Sequence, residues 1–227
     1  MRASECDCIV LAAGLSSRMP GSKMLREIDG EPLVRIAIRN ALSVCRRVIL
    51  VVGHDADAVV EAAGSHDEPR LTVVDNPHYR EGMVGSIQAG MGEVTSAWFF
   101  VAPGDMPALS PAVYSAVAAR ASAADRLDRG DASGARGGNP PGSDGSTPLA
   151  VVPWYRDTRG HPVLVHSSLV PRLRSEPRGG RPMRELLARY PVARVHLDDP
   201  AITVDLDTEK SVEEYRRGRS RGSGRSG

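Results

Sequence analysis

A chain of 227 residues is long enough for one large domain with a substantial core, and that core must be built from Val, Ile, Leu and Ala because aromatics make up only 4% of it. A net charge of +1 argues against a general nucleic-acid or membrane surface role. No apolar run approaches the ~18 residues of a membrane span, Glu5 and Asp7 interrupt any signal-peptide pattern, and Cys6, Cys8 and Cys45 are odd in number without metal-finger spacing, so the reading is a cytoplasmic protein with reduced structural thiols.

Short Val/Ile/Leu-rich runs alternate with helical patterns along the chain. Strands are expected at Cys8–Ala12, Val48–Val52, Leu71–Val74, Trp98–Ala102 and Leu149–Val152, whose nearly continuous apolar character suits a parallel sheet covered on both faces. Helices are expected from Pro32 at a first helical position, over Asp55–Ala63, Val84–Met91 and Pro111–Ala121. That order predicts a single doubly wound, mostly parallel α/β sheet domain of Rossmann-like type, in which ligands collect at the carboxyl ends of the strands. The domain is expected to span residues 1–217, with a flexible Gly/Ser/Pro-rich insertion at 125–147 and a disordered basic tail at 218–227.

The first strand runs into "LAAGLSSRMPGSKML", Leu11 to Leu25, which holds one of only two lysines in the chain, Lys23. Small residues at Ala12, Ala13 and Gly14 let a ligand approach the backbone, Ser16 and Ser17 add hydroxyls, and a turn of this kind can aim successive N–H groups at one anion. Arg18 and Lys23 would add full positive charges. The Rossmann fingerprint needs G-x-G-x-x-G and the P-loop needs G-K-[S/T]; neither is present.

The stretch resembles the signature of the MobA/MocA-type nucleotidyltransferases, L-A-[AG]-G-x-S-x-R-M-G-x-x-K, with Pro20 inserted between Met19 and Gly21. The resemblance implies a nucleotidyltransferase fold, a loop from Leu11 to Ser17 that holds a nucleoside triphosphate, and catalytic Arg18 and Lys23 on its phosphates. It extends to "GDMP", where Asp105 matches the family acid that binds Mg²⁺, although the residues alone favour Asp105 as a cap of the helix that follows. It extends further to "DLDT", whose first carboxylate, Asp205, implies the second magnesium ligand, with Asp207 left as a helix cap. "NPHYREGMVGS" implies that Asn76, Gly82 and Ser86 lie beside base and ribose. "RGHP" implies that Arg159 and His161 border the acceptor.

Two further features favour the cytidylyl-transferring, MocA-like branch: Ala13 stands where guanylyl-transferring members tend to carry Gly, and R-G-H-P is present. What the resemblance implies is transfer of CMP from CTP to a phosphorylated acceptor, a molybdopterin-type molybdenum cofactor, with a molybdoenzyme or its maturation chaperone as partner and neither membrane nor nucleic acid. GTP or another NTP with a sugar- or alcohol-phosphate stays open, as does a non-catalytic cofactor-binding chaperone.

Overall fold

The computed structural model describes residues 1–14, 22–64, 68–128, 147–206, 211–213 and 215. Five strands form where apolar runs were expected: β1 (Asp7–Leu11), β4 (Arg47–Val52), β5 (Leu71–Asp75), β6 (Trp98–Pro103) and β7 (Ala150–Tyr155). Around them lie a small hairpin, β2 (Glu27–Ile28) and β3 (Glu31–Pro32), and three strands nearer the C-terminus: β8 (Thr158–Arg159), β9 (Val163–His166) and β10 (Val192–His196). The hairpin follows from Asp29-Gly30, both at positive φ (55° and 79°), the dipeptide that a tight two-residue turn favours. Pro32 ends β3 at ψ 142° and stands one residue before the helix rather than inside it.

The main sheet runs β10-β7-β9-β6-β1-β4-β5, with β8 paired to β7. All its neighbours along that order are parallel except those involving β9, which is antiparallel to both β6 and β7. The chain therefore winds outward from β1 through β4 to β5, then returns to lay β6 on the other side of β1. That reversal makes a switch point between the carboxyl ends of β1 and β6, where an open α/β sheet leaves a crevice for ligands.

Alternate residues of the strands feed two cores. Cys8, Val10, Val48, Leu50 and Phe100 pack under α1 (Leu33–Leu42), α2 (Ala56–Ala63) and α4 (Pro111–Asp128). Ile9, Leu11, Ile49, Val51, Phe99 and Val101 pack under α3 (Met83–Met91), α5 (Val170–Arg174) and α6 (Met183–Leu187). Helix α4 runs on to Asp128, so the first residues of the stretch read as a flexible insertion are helical, while 129–146 and the tail lie outside the described residues. Cys6, Cys8 and Cys45 are all buried free thiols. No helix among the described residues is long and apolar enough to cross a membrane.

At the amino end of β1, Asp7 is fully buried. Its carboxylate accepts from the amides of Thr95 (2.9 Å) and Ser96 (3.2 Å) and pairs with Arg46 (3.0 Å) and Arg47 (3.4 Å). Burial alone would raise its pKa, but these donors outweigh it and hold the carboxyl below its ordinary value. This end of the sheet is a structural anchor, opposite the crevice.

Candidate active site

Three separated stretches of sequence meet at the crevice. After β1 the backbone is fixed on both sides: the Ala12 amide donates to Val51 O (2.8 Å), and Leu11 O accepts from the Gly104 amide (2.9 Å). A Cβ on Gly104 would lie 3.0 Å from Leu11 O and 3.1 Å from Met24 Sδ, so only glycine lets the β6 turn come this close to β1. Ala12 and Ala13 are buried and Gly14 is exposed. The Ala12 amide, expected on the nucleotide, is thus committed to the sheet. Ser16, Ser17 and Arg18, expected on the triphosphate, lie outside the described residues.

Lys23 opens a 3₁₀ turn, Lys23–Leu25, whose next residue, Met24, is anchored in the core. The anchor carries Lys23 to Asp105, and the ammonium donates to the carboxylate. Asp105 follows β6 in a turn held down by buried Met106 and Leu109 and by Asn40 Nδ2, which donates to Pro107 O (3.0 Å). The Asp105 side chain is 8% exposed and that of Lys23 21%. The structure thus gives a half-buried lysine that neutralises a buried acid.

The second expected carboxylate arrives from the C-terminal side. The apolar Ile202–Val204 stretch belongs largely to a 3₁₀ turn, Pro200–Thr203, with Asp199 as its cap. Gly160 is packed against that turn: a Cβ there would sit 2.5 Å from Ile202 O. The His161 amide donates to the same oxygen (2.8 Å), and the Leu206 amide donates to Asp105 O (3.1 Å). The R-G-H-P and D-L-D-T stretches are thereby tied to each other and to the acid after β6. Asp205 is exposed and directly precedes Leu206, the residue bonded to the Asp105 backbone. Asp207 lies outside the described residues.

His161 Nδ1 is buried and has no hydrogen-bond partner among the described residues. Burial lowers the His161 pKa, opposed by the nearby Asp105 carboxylate and Val101 carbonyl, so the imidazole is neutral at neutral pH. Arg159 sits on β8, exposed, and does not join Asp105 directly.

The base-side residues divide into two kinds. Asn76 and Ser86 are buried and bond each other, Asn76 Nδ2 to Ser86 Oγ at 3.0 Å, while Asn76 Oδ1 accepts from the His78 amide (3.1 Å). These bonds brace the loop after β5 against α3. Gly82, at φ 104° and exposed, is the residue left at the surface. It lines a cavity of about 550 Å³ together with Arg80, Met83, Val84, Gly179 and Pro182.

The motif residues were legible in the sequence, but the ties between them were not. Gly104 and Gly160 carry the close approaches, and the only signal for either was a glycine one residue before an expected functional side chain.

The family profile described as the MobA-like NTP transferase domain matches residues 8–195. The chain is 28% identical over 205 residues to the molybdenum cofactor cytidylyltransferase of Escherichia coli strain K12, covering 90% of this chain and 92% of that protein. Among solved structures, a nucleotidyl transferase from Methanothermobacter thermautotroptrophicus is similar with a TM-score of 0.72 and 20% identity, over 96% of this chain and 98% of that one. The complex of Rv0371C from Mycobacterium tuberculosis H37Rv with manganese gives a TM-score of 0.62 and 23% identity, over 93% and 96% of the two chains. At these identities the two structures establish the shared Rossmann-like α/β fold.

Proposed function

The chain belongs to the MobA-like NTP transferase family, and from that premise we propose that it transfers CMP from CTP to a phosphorylated acceptor, a molybdopterin-type molybdenum cofactor, with release of pyrophosphate. The observation that carries this reading is the meeting of Lys23, Asp105 and the Asp205 segment at the carboxyl ends of β1 and β6. The choice of CTP is supported by the Escherichia coli cytidylyltransferase, which matches along nearly the whole chain.

In the proposed reaction an oxygen of the acceptor phosphate attacks the α-phosphorus in line. The new P–O bond forms as the bond to the pyrophosphate oxygen breaks, and pyrophosphate leaves with that electron pair. A phosphate monoester is already anionic near neutral pH, so no general base is required. The work of the protein is positioning and electrostatics. Lys23, paired with Asp105, is proposed to exchange that carboxylate for the triphosphate, with Arg18 acting beside it. Gly82 and the cavity at the start of α3 offer room for the base, held in shape by Asn76 and Ser86.

Asp105 and Asp205 offer hard oxygen donors, and no group of three or more His, Cys, Asp or Glu that could hold a metal occurs among the described residues. Two carboxylates with room for waters and phosphate oxygens suit a divalent ion of the magnesium type. When bound, Mg²⁺ supplies positive charge against the α-phosphate and the departing pyrophosphate. Neutral His161 and exposed Arg159 are proposed to border the acceptor.

Pyrophosphate release measured with each of the four NTPs, with the molybdopterin-type acceptor supplied, tests this reading. CTP is expected to support turnover well above the other three. Equal turnover with GTP overturns the cytidylyl assignment, and no release with any NTP overturns the transferase reading.

A further inference from the structure

Around β7, the carboxyl end of the sheet carries a group of arginines, of which the transferase reading uses only Arg159. Trp154 of β7 pairs directly with Arg159 of β8 and with His196 of β10, and Arg194 lies two residues before His196, so all four share one face of the sheet. The Arg194 guanidinium lies over the Trp154 ring, 4.4 Å from its centroid, which fixes the direction of that charge. Helix α6 packs on the same face through Leu186 and Leu187 and contributes Arg184. Arg159, Arg184 and Arg194 are exposed, and among the described residues none of the three has a carboxylate within ion-pair distance.

The cations also repel one another. Arg159 holds its proton less firmly than an ordinary arginine, first through loss of surrounding water and then through the charges of Arg194 and Arg184. Gathering like charges without acids is unfavourable unless an anion relieves it. The position says which anion. Trp154, around which Arg159 and Arg194 gather, lies on β7, two strands from β6, whose carboxyl end carries Asp105. At the usual strand spacing that is roughly 10 Å.

We propose that Arg159, Arg184 and Arg194, with Trp154 as a shelf, form an anion subsite for a second negatively charged group of the acceptor, roughly 10 Å from the phosphate that attacks. This rests on the transferase reading and narrows its acceptor to a molecule with at least two anionic groups. Arg159 reaches the subsite from the R-G-H-P stretch, whose His161 amide bonds the Ile202 turn that leads to Leu206, itself bonded to Asp105 O. The segment therefore connects the acceptor's two ends.

The test is a calorimetric titration of the full-length protein holding Mg²⁺ and an excess of a non-hydrolysable CTP analogue, with hexyl phosphate and hexanediol bisphosphate as probes. The bisphosphate is expected to bind about tenfold more tightly than the monophosphate. In the Arg184→Ala/Arg194→Ala double variant that preference disappears, while hexyl phosphate and the CTP analogue bind as in the wild type. Arg184→Ala alone, an exposed change on α6, reduces the preference and guards against misfolding of the double variant. Equal affinities for the two probes in the wild type, or a preference that survives in the double variant, overturns the subsite. A bisphosphate preference that stands while the CTP analogue fails to bind upholds the subsite and instead overturns the nucleotide reading.

Discussion

Removing the Lys23 ammonium separates two roles that the structure gives it. In the unliganded protein it neutralises Asp105, whose side chain is 8% exposed. Losing one partner of a buried ion pair costs about 3–5 kcal/mol. The Lys23 side chain, at 21% exposure, leaves water able to reach the pair, so Lys23→Met should cost about 1–2 kcal/mol, a fall in Tm of about 2–8 °C for a chain of this size. On the reaction path the same charge is proposed to meet the triphosphate, where losing one such donor lowers kcat about 10²–10³-fold. The two roles part in a double-mutant cycle. Lys23→Met/Asp105→Asn should regain most of the stability lost by Lys23→Met, because no unpaired buried carboxylate remains, yet recover no turnover. Thermal unfolding and pyrophosphate release on the four proteins of the cycle check this. Additive stability losses would refute the pairing, and turnover of Lys23→Met within twofold of wild type would refute the phosphate role.

Four further outcomes are expected. Asp7→Asn should cost about 3 kcal/mol at neutral pH and leave turnover per folded molecule unchanged, because Asp7 lies at the opposite end of β1 from the crevice. Since the folded Asp7 pKa is depressed, its stabilisation is present above the unfolded value near 4 and is lost as pH falls through the folded value; wild-type and variant stabilities measured by urea unfolding should therefore converge in acid. Gly160→Ala, which forces a Cβ to 2.5 Å from Ile202 O, should cost about 1–3 kcal/mol and weaken Mn²⁺ binding measured by calorimetry, because the displaced turn leads to Asp205. His161→Ala should raise the KM for acceptor about tenfold while leaving the Kd for CTP unchanged, read from steady-state kinetics and equilibrium titration. Chelation with EDTA should stop pyrophosphate release, and either Mg²⁺ or Mn²⁺ should restore it.

The strands with continuous apolar runs were readable because burial on both faces leaves little else for such a run to be. The antiparallel β9 and the edge strand β10 were harder. Val192–His196 carries an arginine and a histidine on its open face, which dilutes the pattern, and antiparallel pairing of β9 is a property of the sheet rather than of "VLVH". At the site, the types of side chain were legible and their partners were not. Lys23 and Asp105 are 82 residues apart, and nothing local says that one neutralises the other. Asn76 and Ser86 were read as lying beside the base and ribose; that they are also buried and bonded to each other was not legible, because the bond joins the end of β5 to α3. Arg194 gave no signal, being one of 27 arginines; only the fold sets it on the Trp154 ring.

The most direct measurement follows the α-phosphorus. With CTP labelled at that atom, Mg²⁺ and the molybdopterin-type acceptor, the label should appear in a CMP–acceptor product in equal amount to the pyrophosphate released, and Asp105→Asn should abolish both. Label recovered as free CMP or CDP, or an Asp105→Asn variant that transfers it at the wild-type rate, would contradict the assignment of nucleotidyl transfer to this crevice.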